Sequence, residues 1–240
     1  MVTGGAKGIG LAIARRFAAL GDEVIALGRD EHALARLRPE GIRTAVCDVT
    51  DEEQVQSTFA PLQDVDVLVN NAGMAESAPL TRTTLQAWSA HFAVNATAAF
   101  LCLRAVVPGM RERGSGSVVV VASTAGRFGT PYTSAYTASK HAAVGLVRAA
   151  ASELAGTGVR VNAVCPTFVR TELTARAIAR IVETTGRSEA ESEAALARAS
   201  PLRRLLEPEE VADAVVFLAS EAAASINGQT LVLDGGGLQA

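Results

Sequence analysis

The chain has 240 residues, 49% of them hydrophobic and 20% charged, with a net charge of −3. That length and apolar content suit one α/β domain with a full core. A weakly acidic balance without a basic stripe argues against a nucleic-acid partner and against polybasic membrane attachment.

The chain opens on Met1-Val2-Thr3 and runs at once into a glycine loop. No charged region followed by an apolar stretch precedes it, so no signal peptide is read and a cytoplasmic address is the default. Only Met1 and Val2 are available for a first strand. A central strand that short would leave neighbouring backbone groups unpaired, so the natural chain is expected to begin a few residues upstream of Met1.

A helical stripe follows over Gly8–Leu20, with Ile9, Ala12, Ile13 and Phe17 on one side. Glu23–Leu27 is the next strand. Asp30–Leu37 is a helix with Asp30 as N-cap. Then come the strand Thr44–Cys47, the helix Asp51–Phe59 capped by Thr50 or Asp51, and the strand Val65–Asn70. Thr84–Arg113 is a long helix, and Pro108-Gly109 predicts a bend near its end. The uncharged run Thr83–Leu103 falls largely inside it. It carries Gln86, Ser89, His91 and Asn95, which makes it a buried helix rather than a membrane span. Ser117–Ala122, Val159–Val164 and Thr230–Leu233 are strands; Ser134–Ala155 and Pro208–Ala219 are helices.

Short Val-rich runs alternating with helices predict a doubly wound parallel sheet. The stretch 171–206 is Ala-, Arg- and Glu-rich and interrupts the alternation. It is expected to be a lid over the strand ends, inserted within a single domain 1–240. Cys47, Cys102 and Cys165 are far apart and form no metal-ligand spacing, so they are expected in the core and no metal site is expected.

Thr3-Gly4-Gly5-Ala6-Lys7-Gly8-Ile9-Gly10 is a Gly-x-x-x-Gly-x-Gly loop opening a helix. Its glycines permit a tight turn and close backbone approach to a pyrophosphate, and the helix N-terminus offers free N–H groups. A plain structural turn is the alternative. The end of the second strand carries Gly28 and Arg29 where an acid would accept hydrogen bonds from ribose hydroxyls. Arg29, with Lys7, favours a 2′-phosphate and hence NADP(H) over NAD(H); both could instead be solvated charges.

Tyr136 and Lys140 lie four apart on a predicted helix, on one face. A neighbouring ammonium is expected to lower the tyrosine pKa, so that the phenol serves as acid in reduction and base in oxidation. Ser123, at the end of the strand Ser117–Ala122, can donate to a carbonyl oxygen as charge develops there. His32, His91 and His141 have no partner motif and are read as non-catalytic.

At these residues the chain resembles the short-chain dehydrogenase/reductase family. The resemblance runs from Met1 to about Gly237. It covers the glycine loop, Asp48-Val49, Asn70-Asn71-Ala72-Gly73, Asn95, Ser123, Tyr136-x-x-x-Lys140 and Val232-Leu233-Asp234-Gly235-Gly236. It implies a Rossmann-type seven-stranded parallel sheet with helices on both faces and an Asn-Ser-Tyr-Lys tetrad. On that pattern Asn95 supports a water-mediated proton relay through Lys140, and Lys140 holds a cofactor ribose. Asp48 and Val49 flank the adenine, and Asn70 to Gly73, with Asn71, Ala72 and Gly73 at the cofactor, line the cleft. The segment Pro166-Thr167-Phe168-Val169 lies beside the nicotinamide, with Thr167 where the family has glycine, and Thr171 holds the carboxamide.

The family also places the helix bearing Trp88 and Phe92 at a subunit interface, which implies a homotetramer or homodimer. The stretch Gly114 to Val169 is most similar to 3-oxoacyl-thioester reductases and polyketide ketoreductases. The expected reaction is hydride transfer between NADP(H) and a ketone or secondary alcohol. Two alternatives stand beside it: an NAD(H)-dependent dehydrogenase of a cyclic, steroid or sugar-derived alcohol, and a non-catalytic cofactor-binding regulator. A truncated, unstable product is a third.

Overall fold

The computed structural model describes residues 1–62, 64–198 and 200–239. Its seven strands are β1 (Val2–Thr3), β2 (Ile25–Gly28), β3 (Arg43–Val46), β4 (Val67–Asn70), β5 (Gly116–Val121), β6 (Val159–Pro166) and β7 (Thr230–Leu233). They form one parallel sheet in the order β3-β2-β1-β4-β5-β6-β7. The order reverses between β1 and β4, and at such a point a crevice opens outside the carboxyl ends of the strands.

Strand β1 is as short as the sequence allows, yet it pairs on both sides. Val2 lies opposite Ala26 and Val69, and Thr3 opposite Leu27. Met1 adds a rung, its carbonyl accepting from Val69 N at 2.8 Å. The backbone groups expected to be orphaned there are therefore partly served.

Both faces of the sheet are covered. Along β5 the buried valines alternate, Val118 and Val120 into one core, Val119 and Val121 into the other. The first core is closed by α3 (Glu52–Phe59), α5 (Ala98–Arg113) and α6 (Ser134–Glu153) through Val55, Phe59, Leu101, Val106, Val144 and Val147. The second is closed by α1 (Gly8–Ala19), α2 (Glu31–Ala35) and α9 (Pro208–Ala219) through Ile13, Phe17, Leu34, Val211 and Val215. Cys47, Cys102 and Cys165 are all buried and free, as expected. Asp30 caps α2, accepting from Ala33 N at 3.0 Å, and Asp51 rather than Thr50 caps α3.

The long helix departs from expectation. It is α4 (Leu85–Phe92), a π turn over Ala93–Thr97, and α5, which continues through Pro108 to Arg113. The π turn is an irregularity the sequence does not announce, and Pro108 lies inside α5. Pro108 is on the exposed side, where water can serve the carbonyl it frees, while buried Val106 and Met110 hold the helix to the sheet. The run Leu85–Arg113 is long and apolar enough to span a bilayer. Here it packs against α3, α6 and the sheet, with His91 and Asn95 buried and hydrogen-bonded.

The insertion folds as two helices, α7 (Glu172–Thr185) and α8 (Glu189–Ala197). Its two ends meet in a parallel bridge between Val169 and Leu206. Arg170 ion-pairs with Glu193 on α8 and with Glu207 at the start of α9, both at 3.1 Å.

Candidate active site

The glycine loop turns from β1 into α1 with Gly4 at φ +62° and Gly8 at φ +52°, a region that disfavours side chains. Thr3 and Asn71 lock it to the loop after β4. Thr3 Oγ1 accepts from the N–H groups of Asn71 (2.9 Å) and Ala72 (3.0 Å), and Asn71 Nδ2 donates to the Thr3 carbonyl at 2.9 Å. Gly10 is buried against the Gly4 carbonyl, and Ile9 packs towards the second core. Lys7 sits at the N-cap of α1 and gives it no side-chain cap, unlike the cap residues of α2, α3 and α7. An uncapped helix N-terminus above a glycine cradle fits a pyrophosphate.

At the edge of this loop the charges are paired. Lys7 Nζ meets Asp30 at 2.9 Å, and Arg29 meets Asp48 at the looser distance of 3.5 Å. Arg29 remains the most exposed of the four, at 73%. Asp48 also accepts from the N–H and hydroxyl of Thr50, which holds its carboxyl below the ordinary value against the opposing effect of partial burial. Val49 is buried and packs in the first core.

Ser123 follows β5, and its Oγ accepts from Ala125 N at 3.1 Å. That bond fixes the hydroxyl oxygen at the end of the strand. Tyr136 and Lys140 stand one turn apart on α6, with Lys140 Nζ 5.9 Å from the centre of the Tyr136 ring. The Tyr136 hydroxyl is hydrogen-bonded to the Ser123 side chain. Lys140 is buried, and its Nζ donates to the Val121 carbonyl at 2.9 Å. The serine, tyrosine and lysine picked out from the sequence thus converge at the carboxyl end of β5.

The electrostatics differ from expectation in one respect. Burial pushes the Tyr136 phenol up, only partly offset by the Ser123 hydrogen bond, and burial brings the Lys140 ammonium down to about 8. The expected lowering of the tyrosine by its lysine is not what acts here: a buried ammonium brought down to about 8 has lost its charge before the phenol ionises. A consequence for stability follows. Below about pH 8 Lys140 is charged in both the folded and unfolded chain, and its burial cost is fully present. Between about 8 and 10.5 the unfolded chain binds more protons, so stability climbs with pH; above that range the cost is gone. In urea titrations across this range the parent therefore gains stability relative to Lys140→Met; parallel curves would contradict it.

Asn95 lies in the π turn, which adds a residue to one turn and aims its side chain at the loop after β4. Oδ1 accepts from Met74 N at 2.9 Å; Nδ2 donates to Met74 O at 3.0 Å and to Ser139 Oγ at 2.9 Å. The side chain is spent on the loop and on α6, not on Lys140. The two residues nonetheless border the same spot, since a Cβ on Gly73 would lie 3.2 Å from Asn95 Oδ1 and 3.5 Å from Lys140 Nζ.

On the far side, Pro166 ends β6 and Thr167 N donates to Leu233 O at 3.0 Å. Thr167 has ordinary negative φ, so the missing glycine distorts nothing. Val169 is buried at the foot of the insertion. Thr171 is the N-cap of α7, and its Cγ2 lies 3.3 Å from where a Cβ on Gly8 would be. The base of the insertion therefore touches the glycine loop. Asp234 takes the N–H groups of Gly236 and Gly237, and its carbonyl accepts from Ser200 at 2.7 Å, anchoring the insertion's return.

Met74, Ser139 and His91 also belong to this site and were not picked out from the sequence. Their partners are mostly backbone atoms, which leave no pairwise signal in a single chain; only the four-residue spacing of His91 and Asn95 hinted at a shared face.

A family profile described as enoyl-(acyl carrier protein) reductase matches residues 4–237. D-threitol dehydrogenase of Mycolicibacterium smegmatis is 39% identical, covering 98% of this chain and 91% of its own. The 3-oxoacyl-[acyl-carrier-protein] reductase of Thermotoga maritima is 37% identical, covering 98% and 96%. Among solved structures, a variant of actinorhodin polyketide ketoreductase with NADPH superposes with a TM-score of 0.93 at 34% identity, covering 98% and 95%.

Proposed function

Because this chain belongs to the short-chain dehydrogenase/reductase family and is an oxidoreductase of ketone and secondary-alcohol carbons, we propose that Ser123, Tyr136 and Lys140 carry its proton chemistry with NADP(H) as the preferred cofactor. The observation that supports this reading is their convergence at the end of β5, beside the uncapped N-terminus of α1.

In reduction, the Ser123 hydroxyl donates to the substrate oxygen, held for this by the Ala125 N–H behind it. Tyr136 gives its phenolic proton to the same oxygen, and in oxidation it takes the proton back. The high phenol pKa suits the acid role. Lys140 stands behind the ring and returns a proton to it; Asn95 acts indirectly by holding the Met74 loop and α6. The nicotinamide cofactor, when bound, supplies the hydride. Gly4, Gly8, Ile9 and Gly10 would hold its pyrophosphate, Ala72, Gly73 and Val49 with Asp48 its adenosine side, and Pro166 to Val169 with Thr171 its nicotinamide side.

The substrate class is a 3-oxoacyl-thioester-like or related ketone. Tyr132, 67% exposed before α6, and Leu173, 40% exposed on the lid, offer apolar surface beside the strand ends. Assembly as a homotetramer or homodimer would cover the α4–α5 face, where Trp88 stacks on Phe92 at 5.0 Å and Phe100 is 42% exposed. A cytoplasmic address completes the reading.

The cofactor preference has a direct test. NADPH is expected to raise the thermal midpoint more than NADH at equal concentration. Arg29→Ala should weaken NADPH about tenfold or more, the size of one charge-assisted contact, and leave NADH unchanged. The Lys7–Asp30 pair favours the opposite outcome, a chain whose cations are already neutralised and which takes NADH equally well; equal shifts would establish that instead.

A further inference from the structure

We propose that His91 is a positioning residue for the proton-transfer step, clamping the loop after β4 and the ring of Tyr136 into one arrangement. His91 is 1% exposed, on α4, one turn before the π turn. Its Nε2 accepts the N–H of Glu76 at 3.1 Å, and its Nδ1 lies 2.7 Å from the Ala87 carbonyl. With Nε2 accepting, the ring proton sits on Nδ1 and is donated to Ala87. The orientation of the imidazole is therefore fixed at both nitrogens.

That fixed ring has two clients. One is the loop. Asn95 grips it at Met74 and His91 grips it at Glu76, so two side chains one turn apart pin consecutive stretches of the same segment. A second tie, from Ala78 N to the Tyr132 carbonyl at 2.8 Å, joins the loop to the segment leading into α6. The other client is Tyr136, whose ring meets His91 edge to face, centroids 6.4 Å apart at 72°. Turning the imidazole would release Glu76 and remove the wall against which the phenol rests.

The inference rests on Tyr136 as the proton-transfer group, and its test separates the two. His91→Phe keeps a ring against Tyr136 but has no acceptor for Glu76 N–H. His91→Gln places an amide oxygen near the Nε2 position. Glu76→Pro removes the same bond from the loop side and leaves His91 intact. Turnover of a ketone by NADPH is measured, with the thermal shift by NADPH as the check on folding and cofactor binding. The expected result is a kcat about 10- to 100-fold lower in His91→Phe, the penalty for small misplacement of a reacting group. Its NADPH shift should be unchanged, and His91→Gln, which restores the acceptor but not the ring, should recover part of the loss. Glu76→Pro should reproduce the loss, and the double variant should be no worse than either single.

Parental kcat in His91→Phe, or equal losses in His91→Phe and His91→Gln, would overturn the positioning role. If His91→Phe does not fold, Glu76→Pro with parental kcat overturns it equally. Tyr136→Phe run alongside marks the other failure: full turnover there sinks the proton-transfer assignment, whatever His91 does.

Discussion

Replacing Tyr136 by Phe lowers ketone turnover by about 10²- to 10⁴-fold, the range a positioned general acid contributes, while the thermal shift by NADPH persists. The reasoning starts from the phenol's surroundings. Burial raises its pKa, so at neutral pH it holds its proton, and Ser123 is its hydrogen-bond partner. Removing one oxygen leaves ring, packing and helix in place. Loss of turnover with retained cofactor binding therefore isolates the proton. Turnover within a few fold of the parent would mean that water or another group protonates the substrate, and the site assignment would fall.

Gly10→Ala is expected to give the largest effect on cofactor binding. A Cβ there would land on the Gly4 carbonyl and on the Asn71 amide that ties the glycine loop to β4. Backbone and a committed amide cannot move aside as a flexible side chain can. The loop must open, at a cost of about 1–3 kcal/mol, and the stabilisation by NADPH should vanish with it. Gly145→Ala is the control. Gly145 is on α6 with nothing within 4 Å of its would-be Cβ, so alanine there should stabilise by up to ~1 kcal/mol through helix propensity. A Gly10→Ala protein that still responds to NADPH like the parent would mean that the glycine loop is not the phosphate cradle.

Much of the fold was legible because its signals are local. Val118 to Val121 mark a strand buried on both faces, Asp30 and Asp51 mark helix starts, and the Tyr136–Lys140 spacing follows from helix geometry alone. The π turn was not legible. Nothing in Ala93-Val94-Asn95-Ala96-Thr97 disfavours an α-helix, and the extra residue is accommodated because Asn95 finds Met74 and Ser139 across space. The shift in Tyr136 was misjudged because spacing reveals a neighbouring charge but not the shared loss of water. His91 was passed over because its partners, Glu76 N and Ala87 O, are backbone atoms, visible only once the chain is folded.

The bridge between Val169 and Leu206 has a consequence for descent and for engineering. The chain leaves the domain and re-enters it at one doorway, fastened by Arg170 N to the Leu206 carbonyl (2.8 Å) and Leu206 N to the Phe168 carbonyl (2.9 Å). Just inside it, Thr171 keeps its contact with the glycine loop and Ser200 its bond to Asp234 at the end of the sheet. A different excursion could be grafted between those two residues, longer or shorter, at a closure cost that grows only slowly with length. Thr171 at its threshold would still meet the glycine loop. The architecture thus separates what must stay constant from what is free to diversify: one scaffold, with an exchangeable excursion fastened beside the glycine loop.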